Sequence, residues 1–302
     1  MYNEAAGIAQ FHHQLIAVLK DAPLIYEIIY VDDGSLDGTT AAITEFCESD
    51  AHVHLLRLTR NFGKEIATTA GIHAARGDAI LTLDADGQHP VQTIPQFVAK
   101  WQHGAKVVLG MRTGRQASFM KRAGSKLFYK VFRRLTGIAM DPDASDFRLI
   151  DKSVQTEFNR MSEHNRITRG LIDWLGYDRE YVPYEENPRL AGRSPYSFRK
   201  LFKLAVDSVI SLSISPLYIT AYIGAVVLPV ATLLGLGMVA NYLLSDPLDL
   251  HATGGAYIMV LILFLIGILL VSQGIIGLYL SHIHTETQNR PLYVVDKEHT
   301  KG

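Results

Sequence analysis

Two stretches without a charged side chain, Leu217–Leu244 and Ala256–Leu280, constrain this chain more than any other feature. As helices they would extend roughly 40 Å and 37 Å, enough to cross a ~30 Å hydrocarbon core with some tilt. A buried helical hairpin in a large soluble protein is the bland alternative, but uninterrupted apolar runs of this length rarely suit it. Pro229 is placed to kink the first span, and Gln273 is the only strongly polar side chain in the second. The connection Ser245–Gly255 carries Asp246 and Asp249 but no Lys or Arg, whereas Arg199, Lys200 and Lys203 precede the first span and Arg290 and Lys297 follow the second. The positive-inside rule then puts both termini in the cytoplasm and the short loop outside. Met1–Gln10 lacks the basic start and apolar run of a signal peptide, so the first two hundred residues are expected to be cytosolic. The expected organisation is a domain over 1–196, an interfacial amphipathic helix over 197–214, two transmembrane helices over 215–283 and a cytosolic tail over 284–302.

Charge excludes a general nucleic-acid binder, because 29 Lys and Arg stand against 30 Asp and Glu. A hydrophobic fraction of 48% excludes a disordered chain. The lone Cys47 allows no internal disulfide and no multi-cysteine zinc site.

The first half alternates. Asn3 is positioned to cap a helix with Ile8, Phe11, Leu15 and Leu19 on one face. A short apolar run, Ile28–Val31, precedes a helix around Thr39–Phe46 and a strand at Val53–Leu58. A helix near Lys64–Ala75, a strand Ala79–Leu83, a helix near Val91–Trp101 and a strand Lys106–Leu109 continue the pattern. Strands interleaved with helices predict an α/β fold with a mostly parallel sheet covered on both faces. Ligands of such sheets gather at the carboxyl ends of the strands, where this chain puts its acidic clusters.

Asp84-Ala85-Asp86 directly follows Ile80-Leu81-Thr82-Leu83, with Gln88 two residues on. Two carboxylates at a strand end can share a hard divalent cation with oxygen ligands at about 2.0–2.1 Å for Mg²⁺, leaving positions for phosphate. A solvated turn is the commoner fate of such a pair, and its place after a buried strand is what raises the functional reading. Asp32-Asp33-Gly34-Ser35 ends an earlier strand, and Asp37-Gly38-Thr39 leads into the next helix. A turn with an N-cap and a carboxylate that holds a nucleobase or ribose are both open there.

Arg112, Arg115, Lys121, Arg122, Lys126, Lys130, Arg133 and Arg134 crowd one segment in which Phe119, Ala123, Leu127, Val131 and Leu135 recur every four residues. This reads as a basic amphipathic helix: a solvated face by default, a receiver of phosphate or anionic lipid heads if it lies beside the acidic site. Asp141–Arg148 falls outside any strong apolar period, and Asn187–Lys200 is a basic loop broken by Gly and Pro. The helix that follows, with Phe198, Leu201, Ala205, Val209 and Leu212 on one side, suits a membrane interface.

In order, Tyr2–Glu4 (YNE), Val31–Thr39 (VDDGSLDGT), Arg60–Gly71 (RNFGKEIATTAG), Asp84–Pro90 (DADGQHP), Ser145–Leu149 (SDFRL), the two spans, and GLYL and NRPLY near the C-terminus form an ensemble that resembles glycosyltransferase family 2. It most resembles the polyprenyl-phosphate glycosyltransferases, including the bactoprenol glucosyltransferases and dolichol-phosphate mannose synthase. The resemblance covers nearly the whole chain. It implies a GT-A fold and an inner-membrane, multi-pass enzyme with a cytoplasmic catalytic domain. The reaction it implies moves a sugar from a nucleotide donor, UDP-glucose first among candidates, onto polyprenyl (undecaprenyl) phosphate. By the same resemblance, Tyr2, Glu4, Asp32 or Asp33, and Lys64 serve the nucleotide. Asp84, Asp86 and Gln88 gather Mg²⁺ or Mn²⁺ and the diphosphate, Arg112, Arg122, Ser125 and Arg193 serve the acceptor phosphate, and Asp146 faces the reacting centre. Oligomeric state is open, although chains of this shape often assemble through their membrane helices.

Three departures stand out. The apolar strand that leads into YNE in the family is absent, so the sheet is expected to lack a strand or the true start to lie upstream. The residues after Gln88 are His89-Pro90-Val91, and Pro195 replaces a lysine often found in the basic loop. A processive polysaccharide synthase is disfavoured because the QxxRW signature is missing: Asp173 precedes Trp174 and no Gln lies nearby. An inactive, truncated relative is the other reading.

Overall fold

The structure is a computed structural model describing residues 1–113, 134, 144–164, 166–187, scattered positions between 217 and 236, and 254–301. Two compact units result: Met1–Lys200 with Arg290–Gly302, and Leu201–Asn289.

In the first unit, α1 (Ala5–Lys20) buries the expected stripe of Ile8, Phe11, Leu15 and Leu19. Asn3 does not cap it. Asn3 sits at φ 56° and its side-chain oxygen accepts from the Leu36 amide at 2.9 Å. The open amides of the helix start are met from across the fold, with Glu4 N–H donating to Thr39 Oγ1 at 2.9 Å and Ala5 N–H to Asp37 Oδ2 at 3.2 Å. Asp37 also accepts from Thr39 N–H at 3.0 Å at the start of α2 (Thr39–Ser49). One aspartate thus serves two helix starts as a turn residue, while the N-cap positions themselves fall to Glu4 for α1 and Gly38 for α2.

β1 (Ile28–Asp32) and β2 (Val53–Arg57) pair in parallel, with Ile28 opposite Val53 and Asp32 opposite Arg57. Met1 continues the ladder on the far edge of β1: its amino group donates to Val31 O at 2.8 Å and its carbonyl accepts from Asp33 N–H at 2.9 Å. α3 (Lys64–Ala74) packs over β1 and leads to β3 (Ala79–Thr82). A 3₁₀ turn (Val91–Thr93) opens α4 (Ile94–Gln102), followed by β4 (Val107–Thr113), β5 (Ala144–Asp151), α5 (Lys152–Arg160), α6 (Thr168–Trp174) and β6 (Arg179–Glu185).

These strands form a second sheet in the order β3-β5-β4-β6, and among the described residues no ladder joins it to β1 and β2. The sheet is mixed rather than mostly parallel, since β5 runs antiparallel to both β3 and β4 while β4 and β6 are parallel. β5 was not legible as a strand because both of its faces are covered: Phe147, Arg148, Leu149 and Ile150 are all buried, so no alternation marks it. Phe97, Phe147, Leu149 and Val108 join α4 and this sheet to the core beneath α1.

The tail after Asn289 belongs to this unit. Leu55 N–H donates to Lys301 O at 2.8 Å, Thr59 N–H to Val294 O at 3.0 Å, and Asp296 N–H to Arg57 O at 2.8 Å, so the tail covers the outer edge of β2. Tyr293 and Val295 pack with Leu58, Ala67 and Ala70.

In the second unit, α7 spans Gly254–Thr287. Within its segment Phe264–Thr287 an 18-residue window has a mean hydropathy of 2.0 and is not buried, which among the described residues makes it the one helix long and apolar enough to cross a membrane. The described positions between Leu217 and Leu236 are helical. A two-helix hairpin is therefore not shown: α7 alone is described along its length, and the expected first span only at those scattered positions. The interfacial helix over 197–214 lies outside the described residues, as does most of the basic segment 114–143.

Candidate active site

The acidic motifs converge where the strands end. Asp84 follows β3, and Asp146 lies near the start of antiparallel β5, which brings it to the same rim. Thr82 Oγ1 donates to the Asp146 carbonyl at 3.0 Å and ties the two strands together there. Between the carboxylates sits Lys64, the first residue of α3, with Nζ 2.7 Å from Asp84 Oδ2 and 2.8 Å from Asp146 Oδ2. Burial opposes the charge on Lys64, but the two carboxylates outweigh it and raise its pKa. Burial likewise pushes the Asp146 carboxyl up, and Lys64, then Arg148 and Arg169, more than offset it, holding Asp146 well below the usual carboxylate range.

Asp86 Oδ1 accepts from Gln88 N–H at 3.0 Å across a turn made possible by Gly87 at φ 77°. His89 has a role that the motif did not reveal. It is buried, its ring lies 5.1 Å from that of Phe147, and its Nδ1 meets the Asp84 amide at 3.1 Å. Because an amide can only donate, Nδ1 is the acceptor and the ring is neutral, and burial accordingly lowers its pKa. His89 thus holds the backbone of the first carboxylate. Its position inside DADGQHP was the one available signal.

Asp32 and Asp33 are both buried. Asp32 accepts from Ser35 N–H at 2.9 Å and from the Thr40 hydroxyl, while Asp33 accepts from Phe62 N–H at 2.7 Å and Gly63 N–H at 2.9 Å. The pair shapes the rim: Asp32 folds its own loop, and Asp33 binds the RNFGK segment to β1 and thereby sets the start of α3 under Lys64. Tyr2 is 40% exposed, and Glu4 occupies the N-cap position of α1 without a side-chain cap bond. Arg112 Nε lies 3.4 Å from Tyr184 OH on β6 and 3.6 Å from Glu186 Oε1 just beyond that strand. Arg122, Ser125 and Arg193 lie outside the described residues.

A small depression with room for about one water is lined by Lys64, Glu65, Thr68, Thr82, Asp146, Arg148, Thr168 and Arg169. Glu65 reaches across to accept from Thr168 N–H at 2.8 Å, which joins α3 to α6.

Among the described residues no three His, Cys, Asp or Glu side chains stand close enough together to hold a metal ion. The donor set fits a hard cation all the same. Two carboxylate oxygens already converge on one positive nitrogen, and phosphate oxygens of a bound ligand would complete the shell of Mg²⁺ or Mn²⁺.

Carboxylates gathered at strand ends stand where α/β sheets take their ligands. The chain belongs to glycosyl transferase family 2, whose family model matches residues 1–158, and it is a glycosyltransferase of GT-A type with a mixed sheet. It is 37% identical over 297 residues to an uncharacterized glycosyltransferase of Synechocystis sp., covering 98% of this chain and 92% of the relative. It is 34% identical over 301 residues to the SfII prophage-derived bactoprenol glucosyl transferase of Shigella flexneri, covering 99% and 96%. Among solved structures it is similar to mannosyl-3-phosphoglycerate synthase from Rubrobacter xylanophilus, at 18% identity, TM-score 0.48 and 70% coverage of each chain.

Proposed function

We propose that this chain transfers glucose from UDP-glucose to a polyprenyl phosphate at the cytoplasmic membrane, by a single inverting displacement. The observation that carries this reading is the meeting of Asp84 and Asp146 at one cation position on the rim, in a chain alignable end to end with proteins named bactoprenol glucosyl transferases. A phosphate oxygen of the acceptor attacks the anomeric carbon, the bond from that carbon to the diphosphate breaks, and UDP leaves with the electron pair. Asp84, Asp86 and Gln88 would hold a divalent cation, which when bound would supply charge stabilisation to the departing diphosphate. A phosphate acceptor is already ionised near pH 7, so Asp146, itself held ionised, orients the reacting groups and removes no proton. Arg112, with Arg122, Ser125 and Arg193, receives the acceptor phosphate. Tyr2, Glu4 and the loop organised by Asp32 and Asp33 receive the nucleotide.

The membrane placement draws support from α7 and from the returning tail. Residues 1–200 and 290–302 form one compact unit, so a segment between them that enters a bilayer crosses it an even number of times. Two spans satisfy this, and with the basic flanks they leave both termini cytoplasmic.

Asp84→Asn and Asp86→Asn, prepared as membranes and assayed for transfer of radiolabelled glucose from UDP-glucose into lipid, test the reading. Loss of about 10²-fold or more is expected for each. Near-normal turnover in both would overturn it.

A further inference from the structure

The geometry points to Lys64 as an internal counter-cation, seated between Asp84 and Asp146, that competes with the divalent metal for Asp84 and withdraws from it when the metal enters. This inference rests on the metal reading above and adds a residue that governs access to the site. Two carboxylates that converge on one point repel each other unless a positive charge lies between them. Lys64 Nζ, 2.7 Å and 2.8 Å from their oxygens, provides it.

The three members differ in freedom to move. Asp146 sits on a strand hydrogen-bonded on both sides, with Thr82 Oγ1 bonded to its carbonyl. The Asp84 backbone is held by His89. Lys64 ends in a four-carbon stem, and its side chain is 44% exposed. Its backbone, by contrast, is anchored, because the two preceding amides are bonded to Asp33. A metal bound to carboxylate oxygens at about 2 Å would leave the ammonium facing a second positive charge with its partner's lone pairs taken. The lysine is the member with room to yield. Once displaced, it remains on the end of α3 beside the same rim, within reach of the anionic phosphates of a donor. The site would then exchange one cation for another and hold its carboxylates in place while empty.

The test is Mn²⁺ binding alone, without nucleotide, to the full chain in detergent, read from the free-ion electron paramagnetic resonance signal. Lys64→Met is expected to bind Mn²⁺ about tenfold more tightly than the unsubstituted protein, since the ion no longer displaces an ion-paired ammonium. Lys100→Met, which removes the distant pair with Glu180, is expected to change nothing. Equal or weaker binding by Lys64→Met overturns the inference. So does a lack of Mn²⁺ binding by both proteins, and the Asp84→Asn transfer assay then decides the functional reading separately. Should Lys64→Met fail to fold, an experimental structure of the unsubstituted protein with Mn²⁺ decides. Lys64 Nζ is expected beyond ~4 Å from Asp84, and a retained pair overturns the inference.

Discussion

Replacing Gly34 by alanine probes how the rim is assembled. Gly34 lies at φ +70°, and a Cβ built there would stand 2.6 Å from the Arg60 carbonyl carbon, 2.8 Å from Arg60 Cα and 2.9 Å from Asn61 N. All three are backbone atoms, so no side chain can swing away. Left-handed geometry costs alanine about 1–2 kcal/mol, and forcing two backbones apart costs about 1–3 kcal/mol more. The sum, about 2–5 kcal/mol, falls on the contact that keeps Phe62 and Gly63 bonded to Asp33. At about 2–4 °C per kcal/mol, melting should drop by roughly 4–20 °C, with a parallel loss of UDP affinity. Gly104→Ala supplies the control: its φ is +105° but no atom lies within 4 Å of its Cβ position, so only the backbone cost applies. Both variants would be melted at one scan rate by near-ultraviolet circular dichroism. A Gly34→Ala melting point equal to that of Gly104→Ala would refute the collision and the linkage built on it.

Removing residues 290–301 should expose the β2 edge and cost about 2–4 kcal/mol through the lost backbone bonds alone, visible as faster limited proteolysis near Val53–Leu58. Gln155 is buried and its Nε2 donates to the carbonyls of Ile72 and of Ala75, the latter at 2.8 Å. Gln155→Leu leaves both without that donor and should lower the unfolding free energy by about 2–4 kcal/mol, read as a lower urea midpoint with an unchanged slope. His12 is stacked on Phe46, and burial lowers its pKa below the ordinary 6.5. The unfolded chain therefore takes up a proton first as pH falls, so the stability His12 contributes above pH ~6.5 is lost on acidification through its lower folded value. His12→Phe should flatten the fall in unfolding free energy between pH 7 and 5, and an unaltered slope would count against the buried neutral ring.

The helices and outer strands were legible because each has one buried side. The α1 stripe and the strands ending in Asp32 and Thr82 fall where apolar period and turn residues put them. β5 was hidden by being covered on both faces, and with it went the mixed character of the sheet. At the site, Asp84 could be picked out from its place after an apolar strand. Its pairing with Lys64 could not, because twenty residues separate the two and only the α3–β3 connection brings them together. Asp32 and Asp33 look alike in sequence, yet one folds its own loop and the other pins a distant one, a difference set by which carboxylate meets which amides.

The strap of residues 290–301 across β2 sets a timetable for biosynthesis. A ribosome finishes β2 more than two hundred residues before it delivers Lys301, the partner of Leu55. Throughout that interval the outer edge of β2 is a bare template for stray strands. The edge is therefore closed late, when residues 290–301 emerge behind the apolar helix.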